Sequence, residues 1–195
     1  MIQAEGIFAG GATKPYIEET YDSDGNLIDV KLHGYTKIRD NAFSDCYDLS
    51  LTSLPDEIVS IGKNAFRACF SLALTSLPAG ITSIGGGAFY NCESITLTSL
   101  PAGISSIENV AFFCCTNLAL TSIPAGVTDI LTSAFYGCTG LTELTFMGTP
   151  TSIAPDAFNG CENLTTINVP WAEGAVANAP WGAANATIHY NYTGG

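Results

Sequence analysis

Short apolar clusters separated by hydroxyl-rich spacers run along the chain, and they return at a constant interval. The dipeptide Ala-Phe stands at Ala42-Phe43, Ala65-Phe66, Ala88-Phe89, Ala111-Phe112, Ala134-Phe135 and Ala157-Phe158, each 23 residues after the last. An isoleucine five residues ahead of each Phe (Ile38, Ile61, Ile84, Ile107, Ile130, Ile153) and a cysteine three after it (Cys46, Cys69, Cys92, Cys115, Cys138, Cys161) keep the same step. A period of this size marks stacked units, because one unit cannot bury its own apolar face and neighbours must share a core. Within a unit, Leu72 to Leu77 reads as a short strand, Pro78-Ala79-Gly80 as a turn and Ile81 to Ile84 as a second extended piece. Ala, Phe and Cys at i, i+1 and i+4 then predict a compact helical turn, and Pro155 falls where proline suits the first turn of a helix. The expected fold is an α/β repeat solenoid with a parallel sheet on one face and short helical turns on the other. It is expected to be right-handed, as crossovers between parallel strands are.

Both ends break the period, as capping segments must where a solenoid would otherwise leave an apolar cross-section open. Tyr16 to Tyr21 and Leu27 to Leu32 flank Asp22-Ser23-Asp24-Gly25-Asn26, which predicts a β-hairpin cap. Downstream, Leu164 to Val169 repeats the strand, Trp171 and Trp181 follow as lids, and Ala186 to Tyr192 alternates like a final strand. One domain is expected, with an N-terminal segment and hairpin cap over 1–25, six repeats over 26–163 and a C-terminal strand and cap over 164–195.

The unit pattern L-x-x-[LIT]-x-[LIF]-P-x-x-[IV]-x-x-I-x-x-x-A-F-x-x-C resembles the 23-residue leucine-rich repeats of the BspA type, found in bacterial surface proteins and some parasite proteins. The resemblance covers about 138 of 195 residues, and the unit that begins at Leu141 departs from it with Met147 in place of proline. It implies the fold, a setting at the cell surface or outside the cell, and attachment to host proteins, cells or surfaces. It brings no catalytic residues.

Charge narrows the partners. The chain carries a formal net charge of −12, which repels phosphate backbones and argues against nucleic acid. All six Lys and Arg lie at or before Arg67, so residues 68–195 hold seven acids and no Lys or Arg. No apolar run reaches the ~18 residues that span a bilayer, and Met1 to Gly11 has no positively charged start of a secretory signal. The expectation is therefore no membrane insertion and no signal peptide in this chain.

Candidate chemistry is sparse. Six of the seven cysteines occupy one equivalent position per unit beside Ala and Phe, which predicts a buried ladder of reduced thiols. Cys114 stands off that ladder, and the only close pair, Cys114-Cys115, is adjacent and lacks zinc-site spacing. The Asp22 to Asn26 turn has His33 where a calcium loop needs glutamate. His33 and His189 lie in opposite terminal regions, too far apart for one site. The chain is expected to need no metal and no cofactor, and an enzyme is not expected.

Two surfaces stand out instead. Four units carry Leu at the third strand position (Leu51, Leu74, Leu97, Leu120) and Thr at the fourth. The usual register points those leucines out along the concave sheet beside Ser76, Ser99, Ser122 and Glu143, an apolar contact stripe suited to a protein or to self-association. A bulge would instead turn the leucines in and leave a hydroxyl surface. Tyr90, Phe113 and Tyr136 repeat just after each Ala-Phe, able to stack on sugar rings or on one another. The reading is a non-enzymatic binding module whose leucine-rich-repeat surface contacts a protein or glycan. The alternative is a structural subunit or rigid spacer of a cell-surface or phage assembly.

Overall fold

The computed structural model describes residues 15–194. Residues 1–14, the start of the N-terminal segment and the stretch weighed as a signal, lie outside the described residues. Each 23-residue unit closes one coil, and identical residues stack from coil to coil. The six ladder phenylalanines are buried and lie nearly parallel, with centroids 5.2–5.6 Å apart and interplanar angles of 4–14°. The isoleucine ladder sits in two-residue parallel strands: β3 (Lys37–Ile38), β4 (Ser60–Ile61), β5 (Ser83–Ile84), β6 (Ser106–Ile107), β8 (Asp129–Ile130) and β10 (Ser152–Ile153). They form two sheets ordered β3-β4-β5 and β6-β8-β10, with isoleucine opposite isoleucine throughout.

The Ala-Phe segments are not helical, which corrects the expected helical turns. In the second unit the N–H groups of Ala65, Arg67 and Cys69 donate three residues back, to Gly62, Asn64 and Phe66. Those of Asn64, Phe66 and Ala68 leave the segment and donate to Gly86, Ala88 and Tyr90 of the next coil at 3.0, 2.8 and 2.7 Å. A helix needs every N–H to bond four residues back, so a segment that sends alternate donors to its neighbour cannot be one. The chain turns instead through left-handed residues four apart, Asn64 and Ala68 here, Val110 and Cys114 two coils later.

The leucine stripe is also corrected. Leu51, Leu74, Leu97 and Leu120 are 6, 0, 0 and 2% exposed and belong to the core, whereas Thr52, Thr75, Thr98 and Thr121 face solvent. Buried residues at strand positions one, three and six cannot all point inward under strict alternation. The backbone therefore yields between positions three and six, and no strand forms over 49–54, 72–77 or 95–100. Burying one leucine stabilises the fold by about 1.5–3 kcal/mol, whereas a short stretch of sheet gives up ladder bonds worth only about 0.5–1.5 kcal/mol each.

Regular pairing returns at the end of the Leu118 unit and continues through the Leu141 and Leu164 units, where the apolar positions revert to one, four and six. Strands β7 (Ser122–Ile123), β9 (Glu143–Phe146), β11 (Thr166–Asn168) and β12 (Thr187–His189) make one parallel sheet in the order β7-β9-β11-β12.

At the N-terminal end, β1 (Tyr16–Tyr21) and β2 (Leu27–His33) pair antiparallel. Asp22 closes their turn by accepting from the Asp24 and Asn26 N–H groups at 2.9 and 2.8 Å and from the Asn26 amide. These bonds, the Asn26 amide first, hold its carboxyl below the usual range. Leu27 and Val30 enter the core, and the Ser50 N–H donates to Ile28 O at 2.9 Å. At the other end the Trp181 carbonyl accepts from Phe158 N–H at 2.9 Å, while its buried indole donates to Ala177 O at 2.7 Å and meets Trp171 edge-on. Among the described residues no helix is long and apolar enough to cross a membrane.

Because the leucines are core, Leu74→Ser/Leu97→Ser is expected to lose about 4 kcal/mol or more of stability in urea, large-to-small core changes costing about 2–5 kcal/mol each. Light scattering should show the same oligomeric state as the parent. A double variant that unfolds like the parent would contradict the register.

Candidate functional site

Where the backbone yields, a polar surface opens on the strand face. Thr52-Ser53, Thr75-Ser76 and Thr98-Ser99 form consecutive exposed hydroxyl doublets, continued by exposed Thr121 and half-buried Ser122. Bonds between successive coils, from the N–H groups of Ala73, Thr96 and Ala119 to the carbonyls of Leu51, Leu74 and Leu97 at 3.0, 3.0 and 3.1 Å, set each doublet above the last. The Thr121 hydroxyl donates to the Thr98 carbonyl of the preceding coil at 3.4 Å, tying the column to the frame. Ser76, Ser99 and Ser122 thus lie on the surface assigned to them, and Leu51, Leu74, Leu97 and Leu120 lie beneath it. Glu143 is exposed at the start of β9.

One residue on this face went unnoticed in the sequence. Asn168, on β11, is 3% exposed although it points away from the core. Its amide donates to Glu143 Oε1 at 2.8 Å and to Thr145 Oγ1 at 3.2 Å. The signal was available, since Asn168 falls between inward Ile167 and Val169, where alternation places a side chain outward.

The aromatic stripe packs on itself. Tyr90 and Phe113 stack at 4.6 Å and 4°, Phe113 and Tyr136 at 4.7 Å and 6°, and all three are half-buried. The Arg67 guanidinium sits 5.6 Å from the Tyr90 centroid and pairs with Asp45 at 3.1 Å. Ring faces that a sugar would need are occupied by neighbouring rings, which leaves mainly edges to solvent. A second stack, Tyr47 on Phe70 at 5.4 Å, is more exposed, at 51 and 39%. The 23-residue separation of those two residues would have revealed it.

The remaining candidates fall into place as packing. His33 stacks on Tyr16 at 4.3 Å and lies 3.4 Å from Glu18 in the hairpin, whereas His189 ends β12. Among the described residues no three His, Cys, Asp or Glu gather as metal ligands. Cys69, Cys92, Cys115, Cys138 and Cys161 are buried, and each thiol donates to the Phe carbonyl of the preceding coil at 2.9–3.0 Å. Burial pushes these thiols well up, Cys161 to about 12.

Stacked coils, parallel strands and apolar ladders define a leucine-rich-repeat solenoid. The chain belongs to the BspA type leucine-rich repeat family, whose repeat region matches residues 36–170 in six copies. A leucine-rich repeat protein of T. pallidum is similar in structure, with TM-score 0.62 and 25% identity, over 78% of this chain and 81% of that one. Two further solved proteins share less. One, from Bacteroides ovatus, has 22% identity and TM-score 0.40 over 80% of this chain and 52% of that one. The other is described as a leucine-rich cell surface protein of Faecalibacterium prausnitzii, with 18% identity and TM-score 0.44 over 83% and 72%. No curated protein matches the chain.

A thiol reagent at pH 8 should find at most two fast groups in the native protein, half-buried Cys46 and Cys114, and five more only after unfolding. Folded pKa values above the ordinary 9.0 contribute stability that is complete below that pH and is lost as pH rises. Unfolding stability is therefore expected to fall above pH ~9, by up to about 1.4 kcal/mol per pH unit for each buried thiol. Seven fast thiols, or stability that stays flat to pH 11, would contradict the buried ladder.

Proposed function

We propose that the chain is a non-enzymatic binding module that contacts a protein or glycan through its hydroxyl-lined strand face. The observation that supports this is the column of Thr-Ser doublets from Thr52 to Ser122, held outward on a core whose coils are locked in register. Hydroxyls both donate and accept and carry no charge, so a partner can bond along several coils with little desolvation cost. The extended surface of a repeat array suits that role. The leucines that would have driven apolar self-association are buried, which favours binding over the alternative of an assembly subunit. A cell-surface setting, implied by the family resemblance, completes the reading.

The test is an array of immobilised glycans and proteins probed with the parent and with Thr75→Arg/Thr98→Arg, which blocks the face without touching the core. The parent should be retained by at least one member and the double variant by none, at an unchanged melting temperature. Equal retention of both would move the site elsewhere. Concentration-dependent growth of the parent in light scattering, with nothing retained, would favour the assembly role.

A further inference from the structure

The sheet β7-β9-β11-β12 differs from the rest of the strand face in being regular. Its register sets Ser122 opposite Thr145, Thr145 opposite Asn168, and Asn168 opposite His189, one row across four strands. Inward Leu144, Ile167 and Phe146 are buried, so alternation turns the row outward together with Glu143. In this row Asn168 does not act as a surface amide. Its side-chain N–H groups are spent on Glu143 and Thr145, which fixes the exposed carboxylate in place while leaving its charge uncompensated. The chain beyond Arg67 has no Lys or Arg to answer Glu143.

The arrangement is thus one rigid, exposed carboxylate, braced from beneath by the buried Asn168 amide and flanked by the two hydroxyls of Ser122 and Thr145 and the imidazole of His189. Adjacent hydroxyls of a sugar supply the matching donors, since a carboxylate accepts from two neighbouring O–H groups in short, charge-assisted bonds. The hydroxyls of the protein can donate or accept in return. A net charge of −7 over residues 68–195 works against sulfated, phosphorylated or sialylated ligands. We infer that Glu143, Thr145, Ser122 and His189, with Asn168 positioning the carboxylate, form a subsite for the vicinal hydroxyls of a neutral glycan. The inference rests on the binding-module reading and gives it a ligand class and a position, at the C-terminal end of the hydroxyl face.

The probes are immobilised mannan, dextran and galactan, with heparin as a polyanion and polylysine as a polycation. Glu143→Gln removes the charge but keeps an oxygen for Asn168. It should weaken retention on a neutral polysaccharide about tenfold, the loss of one charge-assisted bond. Glu162→Gln, the same charge change at an exposed residue in the turn segment, should leave retention unaltered. His189→Ala, at an exposed strand end, provides a second reading if Glu143→Gln fails to fold. Retention on a neutral polysaccharide with those effects supports the subsite. Equal losses in Glu143→Gln and Glu162→Gln overturn it, as does preference for heparin or for polylysine, the latter pointing to a basic protein segment. Retention on none of the neutral polysaccharides also overturns it. The broader reading then survives if the array still finds a partner lost in Thr75→Arg/Thr98→Arg.

Discussion

A backbone N–H that reaches past its own turn to the carbonyl of the next coil is the contact from which the other features follow. Because Phe66 bonds to Ala88 and Ala68 to Tyr90, each coil must sit directly over its neighbour. Every residue then meets its own counterpart one period away. The parallel phenylalanine stack and the thiol-to-carbonyl bonds are consequences of that superposition. The register also dictates which side chains can be repeated. A Phe fills the space left by the Phe below it, while a larger or smaller residue would leave a clash or a void in a tightly packed core.

Superposition explains how the C-terminal two-thirds of the chain manages without a Lys or Arg. Its seven acids repel one another, but they are dispersed, and several are held by neutral donors. Asp129 accepts from Ser152 and Thr128, which lowers its pKa, and Asp156 accepts from Ser133. Surface ion pairs contribute little in any case. Cohesion comes from the continuous apolar core and from donors satisfied between coils.

What could be read from the sequence was whatever the period repeats without variation. The Ala-Phe, Ile and Cys ladders announced a solenoid because a constant 23-residue step has no other economical explanation. Two features escaped for physical reasons. Ala, Phe and Cys at i, i+1 and i+4 fit a helical turn, and they fit equally a segment whose alternate donors leave it, since spacing does not say where an N–H goes. Likewise Leu51 and its equivalents point outward if strands alternate strictly, and inward if four buried leucines outweigh a short run of sheet. Composition could not decide between those registers. The energetics of burial did, and they exchanged an apolar candidate surface for a hydroxyl one. Ser76, Ser99, Ser122 and Glu143 kept their place on it, whereas Asn168 was passed over as one polar residue in a strand.

The most direct measurement is a long-range HNCO spectrum, which detects scalar coupling through hydrogen bonds and so names each donor and its acceptor. The expected couplings run from Phe66 N to the Ala88 carbonyl carbon and from Ala68 N to that of Tyr90, and likewise from Phe89 N to Ala111 and Phe112 N to Ala134. Couplings from these amides to carbonyls four residues back in their own coil would show helices in the turn segments. They would remove the coil-to-coil register on which the buried leucines and the hydroxyl face depend.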